Sequence, residues 1–457
     1  MNKQKYSKKQ FIYSLVTVLS TIILVLLAVT VFHVGPQLPL ALGCVVAGIS
    51  AAQQGHSWKK IRNEAIKGVA DSLKAIQILL LIGMLCAVLV ASGTVPFLMY
   101  CGMAVITPET VLIVAALGTA LVGMIVGSWG AVGTVGIAFL GIGISFGIPE
   151  GMVVGSIVTG AYFGEIVSPV ADVPNLVTSL FRGKTISTIK KVFPLAMAAF
   201  AISEFLYMII GSRNVSSAIV YEMENWDEVI RTLKSSFHIG PLTLLPLFLV
   251  LALVLLRVSA PVALTVGILE GMLQAVLFQK FSLLEVVKIL YYGFVYSSEN
   301  EMLRSLLSAG GIREIISAIL MIVVAMGFGG LIKGTGQMDA LMKPLLEKLN
   351  TPTRLRIMTV LSCLGVNSIL PDQYLGLSVS GQIYGDEYER QTISREDLCA
   401  DLLCGGGATS PLIPWNTCAM YCSSVLGVQA LNYIPYAFFG IIVPVLTCMV
   451  IIIKYRR

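Results

Sequence analysis

Two Ser-Pro steps, 242 residues apart and each inside an apolar tract, constrain this chain more than anything else in it. Ser168-Pro169 opens SPVADVPN, and Ser410-Pro411 opens SPLIPWN. Proline removes a backbone donor and clashes with the preceding turn, so each step breaks a helix in hydrophobic surroundings. Other landmarks recur at nearly the same offset. Ser128 in GSWGAVGTVG and Ser368 in GVNSILPDQ are 240 apart, and Gly93-Thr94 and Gly334-Thr335 are 241 apart. Ser57 and Gly68 share the spacing of Ser282 and Gly293, at an offset of 225. The pattern reads as an internal duplication.

Composition places the duplication in a membrane. Of 457 residues, 56% are hydrophobic and 12% charged, where a soluble domain carries about 25% charge. The length allows roughly ten to twelve crossings at ~20 residues each, and no sizeable soluble catalytic domain. The net charge of +6 does not indicate nucleic acid, because Lys and Arg cluster beside the apolar runs, where membrane orientation accounts for them. The run 11–34 is too long for a signal-peptide core and reads as a retained first helix. Nine cysteines, mostly in apolar spans, form no disulfide framework. Cys418 and Cys422 read as small-residue packing, and His33, His56 and His238 are scattered, so no resident metal or other cofactor is expected.

Basic residues set the expected topology. Lys3, Lys5, Lys8 and Lys9 put the N-terminus inside, and the loop with Lys59, Lys60, Arg62 and Lys67 is inside again. A third helix is expected over 75–97. No Lys, Arg or His lies between Lys74 and Arg182. A re-entrant hairpin with its tip near 127–130, then a crossing broken near 168–175, fits that stretch. Non-helical backbone at membrane depth is tolerated where it lines a protein cavity. A polar external linker is expected over 212–240. The second half repeats the plan upside down. Arg257, a loop with Glu299, Glu301 and Arg304, and the basic stretch Lys333, Lys343, Lys348, Arg354 and Arg356 mark its turns. Its hairpin tip is expected near 367–372 and its break near 410–416, and the chain ends inside in KYRR. The expected fold is therefore an all-α integral membrane protein of two inverted repeats, 1–211 and 241–457. Each has five transmembrane helices, including a re-entrant hairpin and a broken helix.

Mid-membrane breaks create half-helix ends whose dipoles face the interior, N-termini suiting anions and C-termini cations. Ser168, Asn175, Ser410 and Asn416 can line those ends. Glu165 and Asp172 flank the first break with no basic residue near them in sequence. A carboxylate inside a membrane costs about 2.5–3.5 kcal/mol to insert and is by default a functional candidate. Asp372 at the second hairpin is the third such group. The second break offers hydroxyls and amides, among them Asn367, Thr409 and Thr417. With Ser128 these are the candidate binding residues, and a sodium ion is expected near Asp172 and Asp372. Trp129 and Trp415 beside the breaks read equally as cavity wall or interface anchors. The glycine-rich tracts lack any nucleotide-binding pattern.

The two Ser-Pro segments resemble the NhaC family of sodium/proton antiporters. GAYFGEIVSPVADVPNL and ADLLCGGGATSPLIPWNTC carry the likeness, with SWGAVGTVGIAFLGIG, DQYLG and GHSWKKI. The resemblance implies cation-coupled secondary transport and points to Ser168, Asp172, Asn175, Asp372, Ser410 and Asn416. Four positions depart from the family pattern: Gly127, Glu165, Val173-Pro174 and Leu403-Cys404. Within the resemblance two substrates stay open, a bare cation exchanged for protons, or a small organic acid or amino acid, since some relatives exchange organic acids. The expected setting is the cytoplasmic membrane, as a monomer or homodimer, with no nucleic-acid partner. An inverted duplication argues against a channel. The dispersed histidines and the lack of HExxH argue against an intramembrane enzyme.

Overall fold

The computed structural model describes residues 8–455 except 33, 257, 298–303, 305–306, 309, 347–348 and 371. Side chains at 29–30, 74–75, 213–229 and 343–346 are likewise outside it. His33, Arg257, Glu299, Glu301, Lys3, Lys5, Lys348 and the final Arg456 and Arg457 therefore lie outside the described residues. The side chains of Lys74 and Lys343 do too.

The chain is helical in two successive runs of matching order. The first comprises Lys8–Thr30, Gln37–Gln53, Trp58–Asp71, Leu73–Ala91 and Thr94–Val105. A kinked pair over 111–145, the broken span Glu150–Val167 and Asp172–Leu180, and the helix Thr185–Ser236 follow. The second comprises Leu245–Leu255, Ala260–Leu277, Leu283–Tyr292, Ile312–Gly334 and Gln337–Leu346. Then come Pro352–Ile369 and Gln373–Arg390, the broken span Arg395–Leu402 and Thr417–Leu426, and Phe438–Tyr455. Among the described residues seven helices are long and apolar enough to cross a membrane, or up to nine counting two bent pairs.

Local sequence explains several of these boundaries. Ser57 and Ser282 each accept a hydrogen bond from the backbone N–H three residues on, starting a helix at the matched position of each run. Gly93 adopts φ 87°, a left-handed conformation that glycine takes at little cost. It divides the helix expected over 75–97 into two. The stretch 212–236, expected as part of a linker, continues the helix from Thr185. No Gly or Pro lies between Gly211 and Gly240 to stop it.

The two runs contact each other reciprocally. His56 Nε2, from the first, lies 2.9 Å from Thr335 O in the second. Gln279, from the second, donates to Ser92 O in the first at 3.0 Å. Each contact joins the loop after a run's second helix to the junction after the other run's fourth.

The chain doubles back at Gly127, whose φ 80° and ψ 174° interrupt the helix. The returning leg brings Phe139 against Gly118, where a Cβ would fall 2.5 Å from the ring. The first leg lies along the broken span with almost no space between backbones: a Cβ on Gly160 would collide with Ala116 O, and one on Gly164 with Ala120 O. Small residues at such crossings let helices approach closely where lipid offers no hydrophobic drive. The second hairpin repeats the arrangement, with Gly405 against Val360. One step nearer the helix start it adds the bidentate pair Arg356–Asp401, at 2.7 and 2.8 Å.

Gly164→Val is expected to destabilise the protein by about 1–3 kcal/mol through overpacking, read as a lower thermal midpoint in detergent. Gly365→Ala, inside a helix and with a Cβ that would meet nothing within 4 Å, is the control and should not lower the midpoint, since alanine favours the helix by about 0.5–1 kcal/mol.

Candidate functional site

Every break in these spans exposes backbone groups, and nearby side chains meet them. Ser168 Oγ donates to Met124 O across to the hairpin at 2.5 Å and accepts from Val170 N and Ala171 N, both at 3.2 Å. Asn175 donates to Pro169 O and Ala171 O at 3.0 and 2.8 Å. In the second half, Asn367 donates to Gly406 O at 2.8 Å and Ser410 Oγ donates to the same carbonyl at 2.7 Å. Thr409 Oγ1 donates to Gly405 O at 2.6 Å. Asn416 donates to Asn367 O at 3.3 Å and accepts from Cys418 N at 3.0 Å, capping the helix that follows. Unpaired backbone in lipid costs several kcal/mol, so these bonds are what allow the breaks to exist.

The carboxylates occupy helix starts. Glu165, on the first leg of the first broken span and 3% exposed, accepts from Ser128 N at 3.1 Å and Ser128 Oγ at 2.8 Å. It thereby caps the helix that begins after Gly127. Its other oxygen accepts from Gln373 Nε2 at 3.3 Å, across the two runs. Asp172 opens the helix after the first break, accepts from Val173 N at 3.1 Å and is bonded by the Tyr374 hydroxyl. Asp372, buried, caps the second hairpin's returning leg through Leu375 N at 2.9 Å and accepts from Thr417 Oγ1 at 3.2 Å. Negative groups at helix N-termini are favoured by the helix dipole.

Gly127 is where the first-half acids meet. A Cβ there would sit 3.5 Å from Glu165 Oε1 and 3.6 Å from Asp172 Oδ1, so both oxygens border one small volume. Glu165 is enclosed, whereas Asp172 is exposed. The two breaks adjoin: a Cβ on Gly407 would lie 3.4 Å from Ile166. Gln373 joins them, donating to Gly407 O at 3.0 Å as well as to Glu165.

Ser128, Glu165 and Asp172 thus gather around Gly127, while Asn367, Thr409, Ser410 and Asn416 form a second cluster, with Asp372 beside Thr417. Ser168 and Asn175 brace the first break. Ser368 differs from its repeat counterpart Ser128: it bonds back to Leu364 O on its own helix. Its place is taken by the neighbouring Asn367. Trp129 stacks on Tyr421 at 4.5 Å, and the Trp415 indole donates to Ser368 O at 2.8 Å; both rings pack on protein. Sequence reasoning passed over Gln373, Tyr374 and Tyr421, and read Cys418 as packing. Gln373 is the legible one, a second polar residue next to Asp372 in an apolar hairpin. Among the described residues no group of three or more His, Cys, Asp or Glu could hold a metal ion.

The profile of the Na+/H+ antiporter family matches residues 160–454. The chain is 29% identical to the Na+/H+ antiporter NhaC of Bacillus subtilis, over 97% of this chain and 96% of that one. It is 30% identical to the NhaC antiporter of Alkalihalophilus pseudofirmus, covering 93% and 92%. It is 29% identical to the malate-2H+/Na+-lactate antiporter of B. subtilis, covering 93% and 91%. A helical membrane architecture with paired breaks, acids at the half-helix starts and these relatives agree: the chain is a multi-pass membrane transporter and belongs to the Na+/H+ antiporter family.

Proposed function

We propose that the chain exchanges Na+ for H+ across the cytoplasmic membrane, with its termini inside, using the acids around Gly127 as the binding site. The convergence of Glu165 Oε1 and Asp172 Oδ1 on one volume beside broken backbone carries this reading. Two carboxylates within a few ångströms disfavour double ionisation, so a cation and a proton compete for them. The half-helix starts that would greet an anion are already capped by Glu165, Asp372 and Asn416, which supports a cation over a bare organic acid. The duplicated halves are taken as inverted repeats, 1–211 and 241–457. Access alternates as each hairpin and broken span move as a unit against the other helices.

A second reading is exchange of an amino acid or organic acid. It rests on Gly127, where the missing side chain leaves room between the carboxylates for an ammonium group. Purified protein in vesicles decides between them. Sodium-driven proton movement without organic solute supports the first reading. Labelled malate, lactate or a basic amino acid entering only by exchange supports the second.

Asp172→Asn should slow sodium-driven proton movement about 100-fold, equivalent to about 2.7 kcal/mol. It should barely shift the thermal midpoint, because Asp172 is exposed. An unchanged transport rate in a dye assay removes Asp172 from the site.

Glu165→Gln should also abolish exchange, but with a stability cost. The new amide confronts the Ser128 or Gln373 donors with a donor of its own, which costs about 1–3 kcal/mol for an unmade buried bond. Thermal unfolding of the two variants side by side separates the roles.

A further inference from the structure

The second hairpin buries more polar side chains than the first, and larger ones. Along the second hairpin's leading leg, Arg356, Thr359, Cys363 and Asn367 are all buried. They recur at helical spacing on one face. Along its returning leg, Gln373, Ser380, Tyr384 and Tyr388 are buried on one face. The first hairpin buries mainly Leu112, Ala115, Ala116, Ala120 and Gly123, returning through Ile137, Ala138, Leu140 and Ile142. Its buried polar residues are small hydroxyls, of which Thr119, Thr134 and Ser145 bond back to their own helix. Packing two legs together therefore does not require large polar residues, and their presence in one hairpin calls for another explanation.

The polar residues form a file with gaps. At one end Gln373 touches Glu165 and Gly407 O. Ser380 lies beside Cys363, and Tyr384 beside Ser362. The Tyr388 hydroxyl donates to Asp401 Oδ2 at 2.7 Å. Asp401 is paired with Arg356, which also lies 3.4 Å from Asp397 Oδ1. Asp397 in turn pairs with Lys191 at 2.7 Å, and Lys191 is 40% exposed. From Gln373 to Tyr388 the helix covers about 22 Å at its 1.5 Å rise per residue. Ser380 Oγ, Tyr384 OH and Asn367 Oδ1 are buried without a hydrogen-bonding protein partner. Buried polar groups of this kind are ordinarily met by ordered water.

We infer that the interior of the second hairpin is a proton route between the Glu165 site and the basic end of the molecule. Its relays are Tyr388, Tyr384, Ser380 and Cys363, with water bridging the gaps. The inference rests on the proton-coupled reading above. A hydronium ion at the basic end gives its proton to Asp401 and leaves as water; once the Tyr388 hydroxyl turns from Asp401 toward the file, its oxygen takes that proton as its own O–H proton passes to the next relay or bridging water. Each O–H or S–H bond broken is matched by one formed, and the last proton settles on the Glu165 carboxylate.

The test uses the full-length protein carrying Ser380→Ala and Tyr384→Phe together, reconstituted in sodium-loaded vesicles. Radioactive sodium exchanging against unlabelled sodium needs no net proton movement and should stay within about twofold of the parent. Sodium-driven proton movement, read with an internal pH dye, should fall at least about tenfold. Proton movement within about twofold of the parent overturns the route. So does sodium exchange that falls in step with it, because the file would then serve the solute site or the fold. A parent protein inactive in both assays defeats the sodium reading instead. The route is then decided without a substrate, by the Cys363 S–H stretch in the infrared, identified by subtraction of Cys363→Ala. Its exchange in D2O should slow at least about tenfold in the double variant, and an unchanged rate overturns the proposal.

Discussion

A broken helix inside a bilayer has no water to complete its backbone hydrogen bonds, and the rest of this structure follows from how the protein supplies them. At the first break one hydroxyl, Ser168, bonds a hairpin carbonyl and two amides of the break. At the second, Asn367, Thr409, Ser410 and Asn416 divide the work. These bonds tie each hairpin to its broken span, and the glycine crossings at Gly160, Gly164 and Gly405 make the same connection through contact. Each half therefore contains a unit held together by its own defects. The acids enter the site as partners to this scheme: Glu165 and Asp372 satisfy helix starts that the breaks create.

The breaks were legible because glycine and Ser-Pro interrupt apolar tracts with few other interpretations. Membrane class was legible from charge content alone. What the sequence could not reveal was which polar groups meet. Gln373 reaches Glu165 across 208 positions, and Tyr374 reaches Asp172 across 202; no local pattern records such pairings. The offset rule also misled at Ser368, because the two tips are not built alike. The first turns on a single left-handed glycine, Gly127, whereas at the second it is Asn367, not Ser368, that bonds the facing break. The break at Gly93 was hidden for a different reason. One glycine in an apolar run is common in membrane helices, and only its φ of 87° marks a junction. The polar stretch 212–236 is helical, because polarity argues for exposure and says little against helicity.

The two runs meet the same backbone problem and solve it with different chemistry. At the position of Glu165, 242 residues on, stands Gly407, whose carbonyl takes the place of a carboxylate oxygen as an acceptor. Gln373 donates to both, at 3.3 Å and 3.0 Å. One amide group on the second hairpin's tip thus bonds the charged break and the neutral break together. An amide N–H makes a stronger bond to an ionised acceptor than to a neutral one. Under the proposed exchange, a proton or cation arriving at Glu165 would weaken the grip of Gln373 on the first half while its bond to Gly407 persists. Binding at Glu165 would then be felt at the second hairpin's tip through Gln373, beside the Tyr374–Asp172 bond that crosses at the same place. The two runs are thereby coupled at this point, although Glu165 and Asp172 both lie in the first.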